Sequence, residues 1–343
     1  MPVAWKRALA QAAHRGGLFP AAGALFGGRR LTVLAYHRVA DHDAPGFDAY
    51  CRNVSATPAE FRGQMDYAAE HFNPVSLDQV EAALGGGPHL PRRPLLVTFD
   101  DGYHDNLAAA WPMMRERGIP MTIFLATGFV GGGCAFPWDL AAWCFHHTSL
   151  SGAALPVLGE RSWATPRQRE TVLGSWLETL KRLPEETRAE AIAALPARLE
   201  VTVPADAFRG LCLSWDEVRA MAANGVAIGA HTEQHPILTR VSPDRARREV
   251  AGSKHRLEEE LGRPVTAFAY PNGGRADLDQ STVRLLDEAG YRLGFTLLPG
   301  PDRAGGAVRS PLTLRRVYVH HGDYPARFAA KVQGVPRLLR VAR

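Results

Sequence analysis

One pattern recurs three times along the chain: an amphipathic stretch, a glycine, then a short run of β-branched and other apolar residues. It reads MMRERGIPMTIFLA around Gly118, VRAMAANGVAIGAH around Gly225 and VRLLDEAGYRLGFTL around Gly290. A glycine at that point supplies the left-handed residue that ends a helix and turns the chain into a strand. Helices alternating with short buried strands predict βα units around a parallel sheet. The candidate strands are 31–36, 95–99, 121–125, 226–230, 265–269, 293–297 and 315–319. Seven such strands fit an α/β fold of the distorted (β/α) barrel kind better than an open doubly wound sheet.

Helix starts are marked by capping residues. Thr57-Pro58-Ala59-Glu60 offers an N-cap, a first-turn proline and a glutamate three residues on. Ser214-Trp215-Asp216-Glu217 repeats the box, and Ser242-Pro243 supplies another cap. Between Phe129 and Gly210 the rhythm breaks into a glycine run, Trp138, Trp143 and a polar helical stretch over 166–200. This predicts a helical insertion, 130–210, in one βα loop, where insertions shape or cover an active site. The domain plan is therefore a basic, amphipathic leader over 1–30, a barrel over 31–330 carrying the insertion, and a basic tail over 331–343.

Composition narrows the class without naming a function. With 343 residues, 46% of them hydrophobic and 22% charged, the chain can bury a sizeable core, which excludes a disordered or disulfide-stapled protein. Cys51, Cys134, Cys144 and Cys212 are irregularly spaced, with no C-x-x-C pair, and read as reduced thiols. The net charge of +5 suits a solvated Arg-rich surface, or else anionic glycans, nucleotide-linked sugars or a membrane surface. No nucleic-acid partner is expected, and the oligomeric state is not readable. The leader lacks the uninterrupted apolar run of a signal peptide or spanning helix, so a cytoplasmic location is expected. Trp5, Leu9, Leu18, Phe19 and Leu25 beside Lys6, Arg7 and Arg15 also suit a peripheral contact with the inner membrane.

The candidate chemistry sits where the predicted strands end. Leu95–Phe99 runs straight into Asp100-Asp101-Gly102. Two adjacent carboxylates at the end of an apolar strand repel each other unless something positive lies beside them, and strand carboxyl ends are where such folds build sites. Val226–Ala230 runs into His231-Thr232-Glu233-Gln234-His235-Pro236. Histidines four apart share one face if the intervening residues turn helically, which suits two imidazoles on one divalent ion. That spacing carries little weight alone; it gains weight because both pairs sit at strand ends. One Asp and two His leave open positions on Zn²⁺, Co²⁺ or Ni²⁺. A third strand ends in Tyr270-Pro271-Asn272-Gly273-Gly274, a turn able to expose backbone N–H groups toward an oxyanion. A fourth ends in Tyr36-His37.

Taken together and in this order, TFDDG, HTxxHP and the YPxG turn resemble the polysaccharide deacetylase family with its NodB-homology domain, over roughly Leu31 to Val319. The resemblance implies a distorted (β/α) barrel and a divalent metal, usually zinc, held by Asp101, His231 and His235. It further implies that Asp100 is the general base toward a metal-activated water and that the backbone N–H of Tyr270 helps hold the oxyanion. Many members carry a general acid in a late L-x-x-H motif, which Val317-Tyr318-Val319-His320-His321 matches only approximately. The early strand-Tyr-His motif is similar to that of the biofilm-polysaccharide deacetylase branch, where that histidine is the acid. His37 is therefore the expected acid and His320 the runner-up. The arginine that orients the base has no match upstream of the YPxG turn, and Arg316 on the last strand is the expected substitute. The activity so implied is removal of N-acetyl groups from amino sugars of a polysaccharide or glycan precursor. Two alternatives stand beside it. One is a deformylase or deacetylase of a lipid-linked sugar at the cytoplasmic membrane face; the other is a catalytically silent carbohydrate-binding barrel.

Overall fold

The structure is a computed structural model that describes residues 2–26, 30–132 and 135–335; Cys134 and the tail residues 336–343 lie outside it. Seven strands form its centre: β1 (Arg30–Tyr36), β2 (Pro94–Asp101), β3 (Met121–Leu125), β4 (Ala227–Ala230), β5 (Ala267–Ala269), β6 (Leu293–Pro299) and β7 (Leu314–Tyr318). Each pairs in parallel with the next in sequence. Strand β7 returns to β1 through Leu34 opposite Val317, so the sheet closes. The chain is a distorted (β/α) barrel of seven parallel strands, and each strand ends within two residues of its expected bounds.

Because side chains alternate across a strand, the barrel strands feed two apolar clusters. Val33, Leu96, Phe124, Ala269 and Phe295 fill the lumen. Leu34, Val97, Phe99, Ile123 and Phe268 face the surrounding helices. Gly118, Gly225 and Gly290 adopt φ of 61°, 89° and 78°, the left-handed turn their position after a helix requires. The capping boxes at Thr57–Glu60 and Ser214–Glu217 are both formed. Gly294 is needed for a different reason: a Cβ there would lie 2.2 Å from the Leu312 carbonyl oxygen. Gly294→Ala is expected to destabilise the fold by roughly 1–3 kcal/mol, read as a lower midpoint in thermal unfolding.

The insertion between β3 and β4 folds around its own core. Helices Pro137–His147, Pro166–Leu180 and Glu185–Arg198 bury Trp143, Leu173, Trp176 and Leu195 together. It is not wholly helical, because Gly152–Leu155 and Gly159–Ser162 pair as an antiparallel hairpin. At the N-terminus, helices Pro2–Arg15 and Leu18–Phe26 pack on the helix Pro325–Val332. The Arg7 guanidinium sits 4.7 Å from the Tyr324 ring. Among the described residues no helix is long and apolar enough to cross a membrane.

Candidate active site

The lumen side of β2 changes from apolar to polar as it reaches the carboxyl end of the barrel. After Leu96 the same alternation puts Thr98 and Asp100 inward, and β7 brings in Arg316, which is fully buried. Arg316 donates from Nη1 to Asp100 Oδ1 at 2.6 Å and from Nη2 to Oδ2 at 2.7 Å. Its Nε donates to the Thr296 carbonyl at 3.0 Å and Nη1 also reaches Thr98 Oγ1 at 3.2 Å. A planar fork on a carboxylate is the geometry that suits arginine and not lysine. Burial alone would raise the Asp100 pKa. The Arg316 and His231 charges and the Arg316 hydrogen bonds outweigh it and hold the carboxyl below its ordinary value.

Asp101 has the opposite environment. It sits at φ 76°, a strained conformation for a residue with a side chain, immediately before Gly102 at φ 87°. Its Oδ2 accepts from Asn53 Nδ2 at 3.2 Å, while its Oδ1 is buried without a hydrogen-bond partner. That orphaned oxygen faces His231 Nε2 at 3.6 Å and His235 Nε2 at 3.5 Å. One ligand atom from each of the three residues falls within a 4.8 Å set, and all three residues are buried. Burial first, then the Asp100 charge, pushes the Asp101 pKa well above the usual carboxylate range. Burial lowers the pKa of His231 and lowers that of His235 further, which favours neutral imidazoles with lone pairs available. An unpartnered buried carboxylate oxygen facing two neutral imidazole nitrogens fits a divalent cation.

The histidines reach this position by a route that differs from the one their spacing suggests. Residues 231–235 form an irregular turn, not a helix, with left-handed φ at Thr232 (67°) and His235 (54°). Glu249 Oε2 pins it by accepting from the Glu233 and Gln234 N–H groups at 3.0 and 2.8 Å. The two rings lie 4.7 Å apart. His231 Nδ1 pairs with the Ala269 carbonyl at 2.7 Å, which assigns the proton to Nδ1 and leaves Nε2 toward Asp101.

The remaining expected residues divide. His37 lines the same cavity as Asp100, Asp101 and both histidines. Its N–H donates to Ser55 Oγ at 2.9 Å, its ring meets Tyr318 edge-on at 5.5 Å, and its Nδ1 is buried without a partner. Burial lowers its pKa to about 4 against the pull of the Asp100 charge. His320 is not part of the cavity wall; its Nδ1 accepts from the Gly322 N–H at 2.9 Å. The expectation for Tyr270 is corrected. Its backbone N–H donates to the Phe295 carbonyl at 3.0 Å, continuing the β5–β6 ladder, and so is not free for an oxyanion. Pro271 has no N–H, so the first free donor of the turn is Asn272, which lines the cavity at φ 59°.

Sequence reading missed the residues that support Asp101. Asn53 Nδ2 also reaches the Tyr103 hydroxyl at 3.1 Å, and Tyr103 donates to Asp139 Oδ2 at 2.6 Å. Trp138 Nε1 donates to the same hydroxyl at 2.6 Å, and its ring lies 4.9 Å from His235. Nothing in their spacing marks these residues, because three segments distant in sequence supply them: the turn Cys51–Asn53, the residues just after β2, and the start of the helix Pro137–His147. The cavity that Asn53 and Trp138 help to line has a volume of about 560 Å³.

The sequence profile of the polysaccharide deacetylase family matches residues 88–294. The chain belongs to the polysaccharide deacetylase family. Across 307 residues it is 19% identical to YxkH of Bacillus subtilis (strain 168), a candidate polysaccharide deacetylase, spanning 89% of this chain and 77% of that one. A shorter stretch of 91 residues, 26% of this chain and 13% of the relative, is 29% identical to the poly-β-1,6-N-acetyl-D-glucosamine N-deacetylase of Escherichia coli (strain K12). Among solved structures, the deacetylase PplD of Streptococcus pyogenes, in complex with acetate, has the same fold at a TM-score of 0.58 and 19% identity, covering 88% of this chain and 98% of that one. IcaB of Ammonifex degensii matches at 0.57 and 23% identity, covering 89% and 98%.

Proposed function

We propose that this family member is a metal-dependent hydrolase that removes N-acetyl groups from amino sugars of a polysaccharide or glycan precursor. The observation that carries the reading is the contrast between two adjacent carboxylates: Asp100 clamped by Arg316 and Asp101 with one oxygen left open toward two imidazoles. The Escherichia coli relative's action on an N-acetylglucosamine polymer supports the substrate class.

Asp101, His231 and His235 would hold the ion. Bound there, a divalent cation of the zinc type supplies polarisation of the amide carbonyl and a more acidic water. Asp100 takes the proton from the attacking water, and the Arg316 fork keeps its carboxylate ionised and aimed. The Asn272 N–H offers a hydrogen bond to the oxygen on which charge develops. His37 is the donor to the departing amine, which cannot leave as an anion. In the resting cavity His37 is neutral, so it takes up a proton from solvent before it delivers one to the amine, and Asp100 returns the proton it took from the water to solvent at the end of the cycle. Negative charge developing beside His37 raises its affinity for that proton.

Acetate release from β-1,6-linked N-acetylglucosamine oligomers by the zinc-loaded chain tests the activity directly. The role of His37 has its own signature. His37→Ala is expected to lower amide hydrolysis roughly 10²–10⁴-fold while an activated aryl ester, whose leaving group needs no proton, is hydrolysed nearly as before. Equal losses on both substrates would assign His37 to structure and not to proton transfer.

A further inference from the structure

The insertion contributes more to the cavity than a cover. Its turn after the helix Pro166–Leu180 sends Lys181 and Arg182 to the cavity wall, the next helix adds Arg188, and Arg240 approaches from the loop beyond His235. These four cations are unequally compensated. Lys181 is paired with Glu178 at 2.7 Å. Arg188, with a side chain only 13% exposed, shares Glu185 at 3.6 Å, and Glu185 is itself shared with Arg245 at 3.4 Å. Arg182 and Arg240 meet no carboxylate among the described residues, and both are exposed to the cavity's solvent.

Among the described residues, none of the acidic groups of the same wall pairs with Arg182 or Arg240. Asp100 is held by Arg316, Asp101 faces the two histidines, and Asp277 Oδ2 takes the Gly274 N–H at 2.9 Å. A sugar entering this cavity therefore meets two guanidinium groups with no carboxylate partner among the described residues. Guanidinium forks recognise phosphate and carboxylate in the plane and bind them through charge-assisted hydrogen bonds. Neutral glycans can take only single-charge hydrogen bonds from such a pair, weaker than those an anion makes.

We propose that the substrate of this cavity is anionic: an N-acylated amino sugar carrying a phosphate or a carboxylate on itself or on the neighbouring unit, held by Arg182 and Arg240. This rests on the N-deacetylase reading and narrows it from amino-sugar glycans in general to acidic ones or to phosphate-linked precursors. The whole-chain excess of +5 acts in the same direction by drawing anions toward the protein.

The test is equilibrium binding to the zinc-loaded full chain with probes that contain no amide and so are not turned over: glucose 1-phosphate, a glucuronate-containing disaccharide, and their neutral counterparts glucose and maltose. At low salt at least one anionic probe is expected to bind about tenfold more tightly than its neutral counterpart, and added salt should erode the difference. In Arg182→Ala/Arg240→Ala the advantage should vanish while neutral sugars bind as before; Arg182→Lys/Arg240→Lys should restore part of it. Preference for the phosphate probe points to a phosphate-linked precursor, and preference for the glucuronate probe to an acidic polymer. Equal affinities for charged and neutral probes would overturn the proposal. So would an advantage that survives in the double alanine variant, since the anion would then sit on the metal and not on the arginines. Failure of the deacetylase reading is a separate result: anion-selective binding by a chain that releases acetate from no N-acetylated substrate.

Discussion

Asp100→Asn should reduce acetate release roughly 10²–10⁴-fold while the ion-binding stoichiometry stays that of the parent chain. The side chain keeps its size and one acceptor oxygen, so what is lost is the ability to take a proton. It also places an NH₂ group against one limb of the Arg316 fork, which now makes two bonds of 2.6 and 2.7 Å to the carboxylate. Some loss of stability is therefore expected alongside the loss of rate. Metal content, thermal midpoint and single-turnover rate on one preparation separate the two effects. A variant that binds metal, melts near the parent and still hydrolyses the amide at the parent rate would remove Asp100 from its assigned role.

The largest effect on stability should come from Arg316→Met. The guanidinium is buried and is the direct cationic partner of an equally buried carboxylate. Removing one member of such a pair leaves the other charge stranded and costs about 3–5 kcal/mol. The Thr296 carbonyl also loses its donor. Burial would then be free to raise the Asp100 pKa, so the base would hold a proton to higher pH and activity should fall with stability. The diagnostic comparison is Asp100→Asn/Arg316→Met. Because each residue stabilises the other, the double variant should be less destabilised than the sum of the single variants, read as thermal or denaturant midpoints in a double-mutant cycle. Strict additivity would mean that the fork is not an energetic unit.

How much of this was legible beforehand follows from how far each signal travels along the chain. The barrel strands announce themselves through local rules: an apolar run of five or so residues, a glycine that ends the preceding helix, a capping residue that starts the next. Asp100, Asp101, His231 and His235 were readable because each pair directly follows such a run. Arg316 was reachable because it lies on a strand whose neighbour in a closed barrel is β1, itself next to β2. What sequence did not reveal depends on pairing between distant loops. The Tyr270 N–H looked free until the β5–β6 register assigned it to Phe295. The His231–His235 turn looked helical by spacing, whereas backbone bonds to Glu249 and left-handed residues hold it in another shape. Asn53, Tyr103 and Trp138 converge from three segments far apart in sequence, and no periodicity records such a meeting.

The central claim is that Asp101, His231 and His235 hold an ion on which hydrolysis depends. Metal content of the purified full chain, measured with acetate release before and after chelation and after zinc is restored, addresses it most directly. The account predicts that the two rise and fall together, and that His235→Ala binds zinc roughly tenfold or more weakly with a matching loss of rate. Full acetate release from the chelated chain, or parent-like zinc affinity in His235→Ala, would contradict it.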